Sequence, residues 1–148
     1  DGKPADDPTV YVSASVCSDP AMAPKGCSNL FVLVNTPPTG GGYDWQAPEY
    51  REVVLRKLEG MGLEIPARDT EVEQVITPAD FERRFNAFRG SIYGTSSNGR
   101  MAAFLRPPNR PRTPKRWYYV GGSAHPGGGI PLVLLSGRIV ADLVRSDL

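Results

Sequence analysis

The sequence has 148 residues, of which 40% are hydrophobic, and its 17 basic and 16 acidic side chains give a formal net charge of +1. This length fits one domain with a core of moderate size, and this charge gives no reason to expect nucleic acid as a partner. No apolar run reaches the roughly 18 residues that a membrane-spanning helix needs. The opening DGKPADDP lacks the basic start and apolar stretch of a signal peptide, so we expect a cytoplasmic protein.

The two cysteines, Cys17 and Cys27, flank a nine-residue loop. Pairing across a hairpin is one interpretation, but two cysteines in a chain without an export signal are more often free thiols, and we expect free thiols. Their spacing matches no zinc pattern, and the single histidine does not complete a ligand set. We therefore expect no metal site.

Two antiparallel strands are predicted first. In PTVYVSASV, apolar and polar residues alternate with a period of two, which predicts a half-buried strand. NLFVLVNTP follows as a second strand, and its apolar run at residues 30–34 predicts a more central position in the sheet. The segment between them is rich in proline and glycine, which fits a wide hairpin connection.

An amphipathic helix is predicted after the loop PPTGGGYDW. Its apolar residues recur at helical spacing: Tyr50, Val53, Val54, Leu58 and Met61. Pro48 suits the first turn of this helix, and Gly60 and Gly62 suit its exit. The next segment, EVEQVI at residues 71–76, is predicted to form a short strand.

A second helix is predicted in TPADFERRFNAF. Thr77 is a natural N-cap, Pro78 fits the first helical position, and Asp80 favours the positive end of the helix dipole. Three phenylalanines share one face and are expected in the core rather than in a ligand cage: Phe81, Phe85 and Phe88. Residues 90–99 are small and polar without periodicity, which predicts a loop.

The last third of the chain is predicted to contain a proline- and arginine-rich loop, a strand at residues 117–120 and a final helix that starts near Pro131. This helix is apolar over most of its circumference, so we expect it to be buried between a sheet and another layer. The whole pattern predicts an α+β chain, in which antiparallel strands and amphipathic helices precede a C-terminal unit of strand, glycine turn and helix.

The glycine-rich turn GGSAHPGGGIP joins the last predicted strand to the last helix. Such an arrangement directs backbone N–H groups and the positive helix end at a negatively charged ligand. Glycine also permits positive φ and close approach of a ligand to the backbone. Glycine-rich connections occur as plain loops as well, and His125 beside a proline is more often a structural residue than a base. The local pattern leaves both interpretations open.

Four segments of the chain, in order, carry a resemblance to a known family. They are SDPAMAPKGCSNLFVLVNTPP, ITPADFERRFNAFRGSIYG, FLRPPNRPRTPKRWYYVGG and YYVGGSAHPGGGIPLVLLSG. Each resembles the corresponding segment of bacterial and fungal phytoene desaturases, the carotenoid desaturase family among the amine-oxidase-like flavoproteins. The last of the four resembles the closing flavin-binding segment. The resemblance covers about residues 10–144, which makes it far more specific than a glycine pattern.

The resemblance implies that this chain is the C-terminal portion of a longer protein. Family members carry an N-terminal GxGxxG region that holds the adenosine and pyrophosphate of FAD, whereas no glycine-rich turn follows a first strand near residue 1, and the chain does not begin with Met. By this resemblance, residues 1–99 are part of a substrate-binding domain. Residues 100–148 are the C-terminal segment of the FAD-binding domain.

The resemblance also implies the chemistry. Oxidised FAD removes a hydride from one carbon of a long, phytoene-like polyene, and the neighbouring carbon loses a proton. In the full-length parent the cofactor-binding residues are then expected to be Gly121, Gly122, His125, Gly127, Gly128, Gly129, Ile130 and Pro131. His125 is expected to line the ring or the substrate tunnel without transferring protons. Many members of the wider flavoprotein group have an acidic residue where this chain has Ser123 and Ala124. In this respect the chain resembles the bacterial type of desaturase. We expect the chain alone to be inactive.

A basic loop follows residue 105, with cations interleaved with prolines: Arg106, Arg110, Arg112, Lys115 and Arg116. Such a run is usually a solvated surface; the functional alternative is contact with anionic lipid headgroups, since the expected substrate dissolves in membranes.

The rival function for the chain is a non-catalytic binding or interaction module that retains part of the flavoprotein fold. A GxGxxG unit encoded upstream in the same frame favours the enzyme, and a start codon near residue 1 favours the module.

Overall fold

The computed structural model describes residues 2–45, 49–94 and 106–148. Within them lie two strands, β1 (Val10–Ser13) and β2 (Phe31–Val34), and three α-helices, α1 (Glu49–Gly60), α2 (Pro78–Phe85) and α3 (Ile130–Asp147). This mixture of an antiparallel sheet with helices confirms the α+β prediction. The chain divides into two compact units, Asp1–Ala79 and Asp80–Leu148, which are described separately.

The hairpin of the first unit confirms the predicted antiparallel pair. Val10 lies opposite Val34, and Val12 lies opposite Val32. These four valines are half-buried on one face, as the period-two alternation requires. On the other face Tyr11, Phe31 and Leu33 are exposed.

The predicted central position of β2 is wrong for the described residues, because β1 is its strand partner there and no strand lies on its other side. β1 is also shorter than its sequence pattern. The backbone beyond Ser13 enters a short 3-10 turn, Ser15–Cys17, which ends the alternation.

Helix α1 lies where its periodicity predicts, and it contacts β1. Its buried residues are Tyr50 and Leu58, and Leu58 is 1% exposed. The helix ends in a Schellman motif, since the amide of Gly62 donates to Glu59 O and the amide of Leu63 donates to Leu58 O, both at 2.9 Å. Gly62 has a φ of +88°, which explains glycine at this exit. Pro48 lies outside the described residues.

An aromatic cluster, which we define as Tyr43, Trp45 and Tyr50, completes the small core of the first unit. The ring centroids of Tyr43 and Trp45 are 4.8 Å apart with an edge-to-face geometry. Trp45 and Tyr50 are 6.2 Å apart, also edge to face. Such pairs add favourable quadrupole interactions to the burial of apolar area. The cluster therefore anchors the start of α1.

The predicted strand at residues 71–76 is wrong. This segment forms no strand and is exposed, with Val72 at 88%. An apolar and charged alternation favours extended backbone, but a strand forms only when a neighbour accepts its backbone hydrogen bonds. Glu73 is held by a side chain instead, because Nη2 of Arg51 donates to its Oε2 at 2.7 Å. This hydrogen bond lowers the pKa of Glu73.

Helix α2 starts at Pro78 as predicted, but its phenylalanines do not form a core face. The helix ends at Phe85 because Asn86 adopts a φ of +52°. Phe88 then lies in a separate turn, Phe88–Gly90. Phe85 is 68% exposed and Phe88 is 83% exposed, so the prediction of a buried stripe is wrong.

Helix α3 starts at Ile130, with Pro131 in its first turn, close to the predicted start. The expectation that it is buried is wrong for the described residues, since Ser136 is its buried residue and several apolar side chains are exposed. Within the described part of this unit no second layer covers that face.

The strand expected at residues 117–120 is absent from the described structure. Residues 117–120 are not paired with a neighbouring strand. The amide of Tyr119 instead donates to the carbonyl of Asn109 at 2.9 Å, so a loop occupies the place of a strand neighbour.

Candidate functional site

The glycine-rich turn runs from Gly121 to the first residues of α3. Three of its glycines have positive φ, with +112° at Gly121, +133° at Gly127 and +97° at Gly129. L-residues rarely adopt these angles, so the course of the turn depends on glycine at these positions. A Cβ atom at Gly121 or Gly129 would meet no atom within 4 Å. Backbone angle, rather than crowding, requires glycine at those two positions.

The start of α3 has no side-chain cap. Gly129 is the N-cap residue, and the first intrahelical hydrogen bond runs from the amide of Val133 to its carbonyl at 2.9 Å. Pro131 has no N–H group, so Ile130 and Leu132 supply the donors of the first turn. Ile130 is 78% exposed. These amides, together with the helix dipole, favour negative charge at this end.

Gly128 is required for a different reason, which is contact with Tyr93. A Cβ atom on Gly128 would lie 2.2 Å from Cδ1 of Tyr93, closer than any real side-chain contact. A Cβ atom on Gly122 would lie 3.5 Å from Cα of Gly128, an ordinary contact distance. The aromatic ring of Tyr93 therefore packs directly on the backbone of the turn at Gly128, the middle one of three consecutive glycines.

Arg106 faces the same turn. Its Nη1 donates to the carbonyl of Tyr93 at 2.9 Å and to the carbonyl of Gly122 at 3.2 Å. Its Nε lies 3.1 Å from the position that a Cβ atom of Gly127 would take, and Gly127 is buried. Arg106 is half-buried, whereas the other four cations of the basic loop are exposed.

A buried polar cluster, which we define as Asn109 and Ser136, connects the turn to α3. Nδ2 of Asn109 lies 2.9 Å from the carbonyl of Tyr119, 2.8 Å from that of His125 and 3.0 Å from Oγ of Ser136. The amide of Gly121 donates to the same Oγ at 3.1 Å. Asn109 is 5% exposed and Ser136 is 0% exposed. Two amide hydrogens thus serve three acceptors, which fixes both ends of the turn.

His125 is tied down through its backbone. Its amide donates to the carbonyl of Pro107 at 3.0 Å, and its carbonyl accepts from Asn109. The residue itself is exposed. The structure therefore gives its backbone a structural role, and its expected contact with a cofactor ring or substrate remains a prediction.

At the other end of α3, Asp147 binds two residues of the loop region. The hydroxyl of Tyr118 donates to its Oδ2 at 2.6 Å, and Arg110 donates to its Oδ1. Both hydrogen bonds lower the pKa of Asp147, and the one from Tyr118 has the larger effect. The same carboxylate raises the pKa of Tyr118.

An open cleft lies beside this contact, with a volume of about 390 Å³. We call it the basic cleft, and it is lined by Arg110, Pro111, Arg112, Lys115, Arg116 and Asp147. In residues 2–45, 49–94 and 106–148, no helix is long and apolar enough to cross a membrane. The same residues contain no group of His, Cys, Asp or Glu arranged to hold a metal ion.

The structure thus brings the predicted glycines together around the start of α3, and it adds residues that sequence patterns did not single out. These are Tyr93, Asn109 and Ser136, together with the contacts of Arg106 with the turn. One signal for Ser136 was available, because it is a polar residue within the apolar run IPLVLLSG. A small hydroxyl inside an apolar helix commonly satisfies a buried backbone group.

Comparison with known proteins finds relatives along nearly the whole chain. It is 44% identical over 94% of its length to a 1-hydroxycarotenoid 3,4-desaturase of Flavobacterium sp. strain P99-3. It is 37% identical over 99% to a 4,4'-diapophytoene desaturase (4,4'-diaponeurosporene-forming) of Staphylococcus haemolyticus strain JCSC1435. The chain is a relative of carotenoid desaturases. This confirms the family resemblance of its four segments.

A third relative is a 4,4'-diapolycopene oxygenase of Methylomonas sp., which is 38% identical over 97% of this chain. The chain spans 29% to 30% of the length of these curated relatives. No family model matches it. The similarity therefore covers one part of each of these relatives.

Proposed function

We propose that the chain is the C-terminal portion of an FAD-dependent carotenoid desaturase. The observation that carries this proposal is similarity along at least 94% of the chain to proteins named for carotenoid desaturation. All three relatives are named for long polyenes, so a carotenoid is the substrate class we assign to the parent. Because one relative is named an oxygenase, any test of this proposal must also identify the product.

In this proposal residues 1–99 belong to a substrate-binding domain and residues 100–148 to an FAD-binding domain. The boundary itself lies outside the described residues. The compact unit Asp80–Leu148 contains the whole glycine-rich turn and α3. The hairpin and α1 lie in the other unit, Asp1–Ala79, which suits a separate role for that unit.

The turn has the properties that a flavin site requires. Gly129 is exposed and has a positive φ, the start of α3 has no side-chain cap, and open space adjoins Gly129. Gly121, Gly122, Gly128, Ile130 and Pro131 complete this wall, with His125 beside it. FAD, when bound, supplies the hydride acceptor for a C–H bond of the polyene, while the adjacent carbon releases a proton and a C=C bond forms.

This chain's contribution is electrostatic and positional. The helix end and the amides of the turn favour the negative charge that a reduced flavin carries, without a charged side chain at the contact. Open space adjoins Gly129, whereas Tyr93 and Arg106 support the turn at Gly128 and Gly127, so we assign the cofactor's approach to the Gly129 end of the turn. No residue of the chain is assigned proton transfer.

The test is expression of the parent with its upstream sequence. We expect a flavin absorption spectrum in the purified protein and a carotenoid product with a longer conjugated system. The chain of 148 residues alone should not bind FAD tightly, because most cofactor contacts would come from the upstream portion. A one-to-one yellow complex of the isolated chain that survives gel filtration would contradict this assignment of the contacts.

We also propose that the basic cleft contacts an anionic membrane surface, which suits a membrane-dissolved substrate. Arg110, Arg112, Lys115 and Arg116 line the cleft, whereas Arg106 faces the turn and does not belong to this surface. Replacing the four cleft cations by serine should reduce binding of the parent to phosphatidylserine vesicles. A matched control replaces four exposed cations elsewhere: Lys25, Arg56, Arg68 and Arg84. Equal loss in both variants would refute a specific role of the cleft.

A further inference from the structure

Arg106 differs from the other cations of the basic loop in what it touches. Its Nη1 holds two carbonyls from separate segments, Tyr93 and Gly122, at 2.9 Å and 3.2 Å. Hydrogen bonds from a guanidinium are charge-assisted and stronger than neutral ones. One planar group therefore connects the segment before the basic loop to the glycine-rich turn.

The side chain of Arg106 also packs against the turn itself. Its Nε, Cζ and Cδ atoms lie 3.1, 3.4 and 3.5 Å from the position of a Cβ atom on Gly127. Any side chain at this position would displace Arg106. Glycine at Gly127 therefore serves two purposes, because it permits the positive φ and leaves room for a cation behind the backbone.

We propose that Arg106 is a positioning residue for the flavin site of the parent, and that its permanent charge favours reduced over oxidised flavin. This inference rests on the proposed function. Through the carbonyl of Gly122 and the contact with Gly127, Arg106 fixes the shape of the turn. Through the carbonyl of Tyr93, it keeps that aromatic ring on Gly128. The positive charge of its guanidinium adds to the positive end of α3.

The experiment uses the FAD-loaded parent with three single variants. Arg106→Gln keeps hydrogen-bond donors but removes the charge, Arg106→Lys keeps the charge but loses the planar fork, and Arg84→Gln removes an exposed charge from α2. The measurements are the dissociation constant for FAD, the midpoint potential of the bound flavin and the thermal unfolding temperature. The potential is the informative readout, because a merely structural residue would not change it in the folded, flavin-loaded fraction.

We expect Arg106→Gln to weaken FAD binding by about tenfold, the loss typical of one charge-assisted hydrogen bond, and to shift the midpoint potential to more negative values. Arg106→Lys should weaken binding as well but keep the wild-type potential. Arg84→Gln should leave both unchanged. When Arg106→Gln does not fold, Arg106→Lys carries the test, since a shifted potential in that variant overturns the proposed role of charge.

Equal potentials in wild type and Arg106→Gln would overturn the inference, and so would equal shifts in Arg106→Gln and Arg106→Lys. A parent that binds no FAD would overturn the proposed function and this inference together. A flavin-loaded parent whose potential does not respond to Arg106 would overturn this inference alone.

Discussion

Asn109 and Ser136 are 27 residues apart in the sequence, and Nδ2 of Asn109 lies 3.0 Å from Oγ of Ser136 in the interior of the second unit. Through this contact the loop before the glycine-rich turn is joined to the middle of α3. The carbonyl of His125 and the amide of Gly121 bind the same two side chains. The turn is thus held at both ends by one buried polar cluster.

We expect Asn109→Ala to destabilise the chain strongly. The substitution leaves the carbonyls of Tyr119 and His125 without their donor in a buried site, which costs about 2–3 kcal/mol in the free energy of unfolding. Urea-induced unfolding measures this loss. Asn29→Ala is the matched control, because Asn29 makes longer hydrogen bonds of 3.3 Å at a less buried position. Equal losses in the two variants would contradict the role of the cluster.

The helices and the hairpin could be predicted because their signals are local. The alternation of Val10 and Val12 fixes which face of the strand is half-buried, and the spacing of Tyr50 and Leu58 fixes the buried face of α1. The strand predicted at residues 71–76 failed because a periodic pattern specifies an extended backbone but not the neighbour that completes a ladder.

The glycine-rich turn before α3 could be predicted from the sequence, but the residues that contact it could not. Arg106 and Tyr93 lie in segments without periodicity, and their contacts with Gly127 and Gly128 join residues distant in sequence. For Phe88 the predicted stripe failed for a conformational reason, because the positive φ of Asn86 ends α2 before it. A helical wheel contains no information about such an angle. Phe85 lies within α2 and is exposed as well.

A second prediction concerns Gly128→Val in the parent. The added side chain would collide with the ring of Tyr93 and alter the surface of the turn. Overpacking of this kind costs about 1–3 kcal/mol in the free energy of unfolding. Because the added side chain also occupies the surface that the cofactor would approach, we expect FAD affinity to fall by about tenfold. Gly60→Val is the control, because a Cβ atom on Gly60 meets no atom within 4 Å. The dissociation constant for FAD is the measurement.

Combining Gly128→Val with Tyr93→Ala separates two reasons for glycine at residue 128. One is packing against the Tyr93 ring, and the other is the approach of the cofactor. In Tyr93→Ala protein the ring is gone, so Gly128→Val no longer collides with it. We expect the loss of FAD affinity to persist, because the cofactor itself approaches the turn. If Tyr93→Ala restored full affinity to the Gly128→Val variant, Gly128 would serve only the packing of Tyr93.

The contact between Tyr118 and Asp147 should make stability depend on pH at both extremes. Asp147 has a lowered pKa, so its contribution is lost as the pH falls through its folded-state value, below the ordinary 3.8. Tyr118 has a raised pKa, so its contribution is lost as the pH rises through its folded-state value, above the ordinary 10.0. Between these limits the hydrogen bond is intact.

Titration of the phenol tests this directly. The difference in tyrosinate absorbance between wild type and Tyr118→Phe isolates this hydroxyl from the other tyrosines. In Asp147→Asn the pKa of Tyr118 should return toward its ordinary value, since the carboxylate that raises it is gone. An unchanged titration curve in Asp147→Asn would show that the carboxylate does not control the phenol.

We further expect Cys17 and Cys27 to be free thiols in solution. Both are unpaired in the structure, and Cys17 is exposed. Alkylation without reductant followed by mass spectrometry should show two labels per chain. An unlabelled chain that is lighter by two hydrogens than the reduced form would show a disulfide instead.

The composition of the basic cleft has a practical consequence. Four cations and one carboxylate give the cleft a formal charge of +3, while Arg106 is directed to the turn. Three net charges at a surface attract an anionic bilayer only over about 8 Å at physiological salt. Attachment through this cleft would therefore be brief and controlled by ionic strength. During cell fractionation, the salt content of the lysis buffer, rather than detergent, would decide whether the parent is recovered in the pellet or the supernatant.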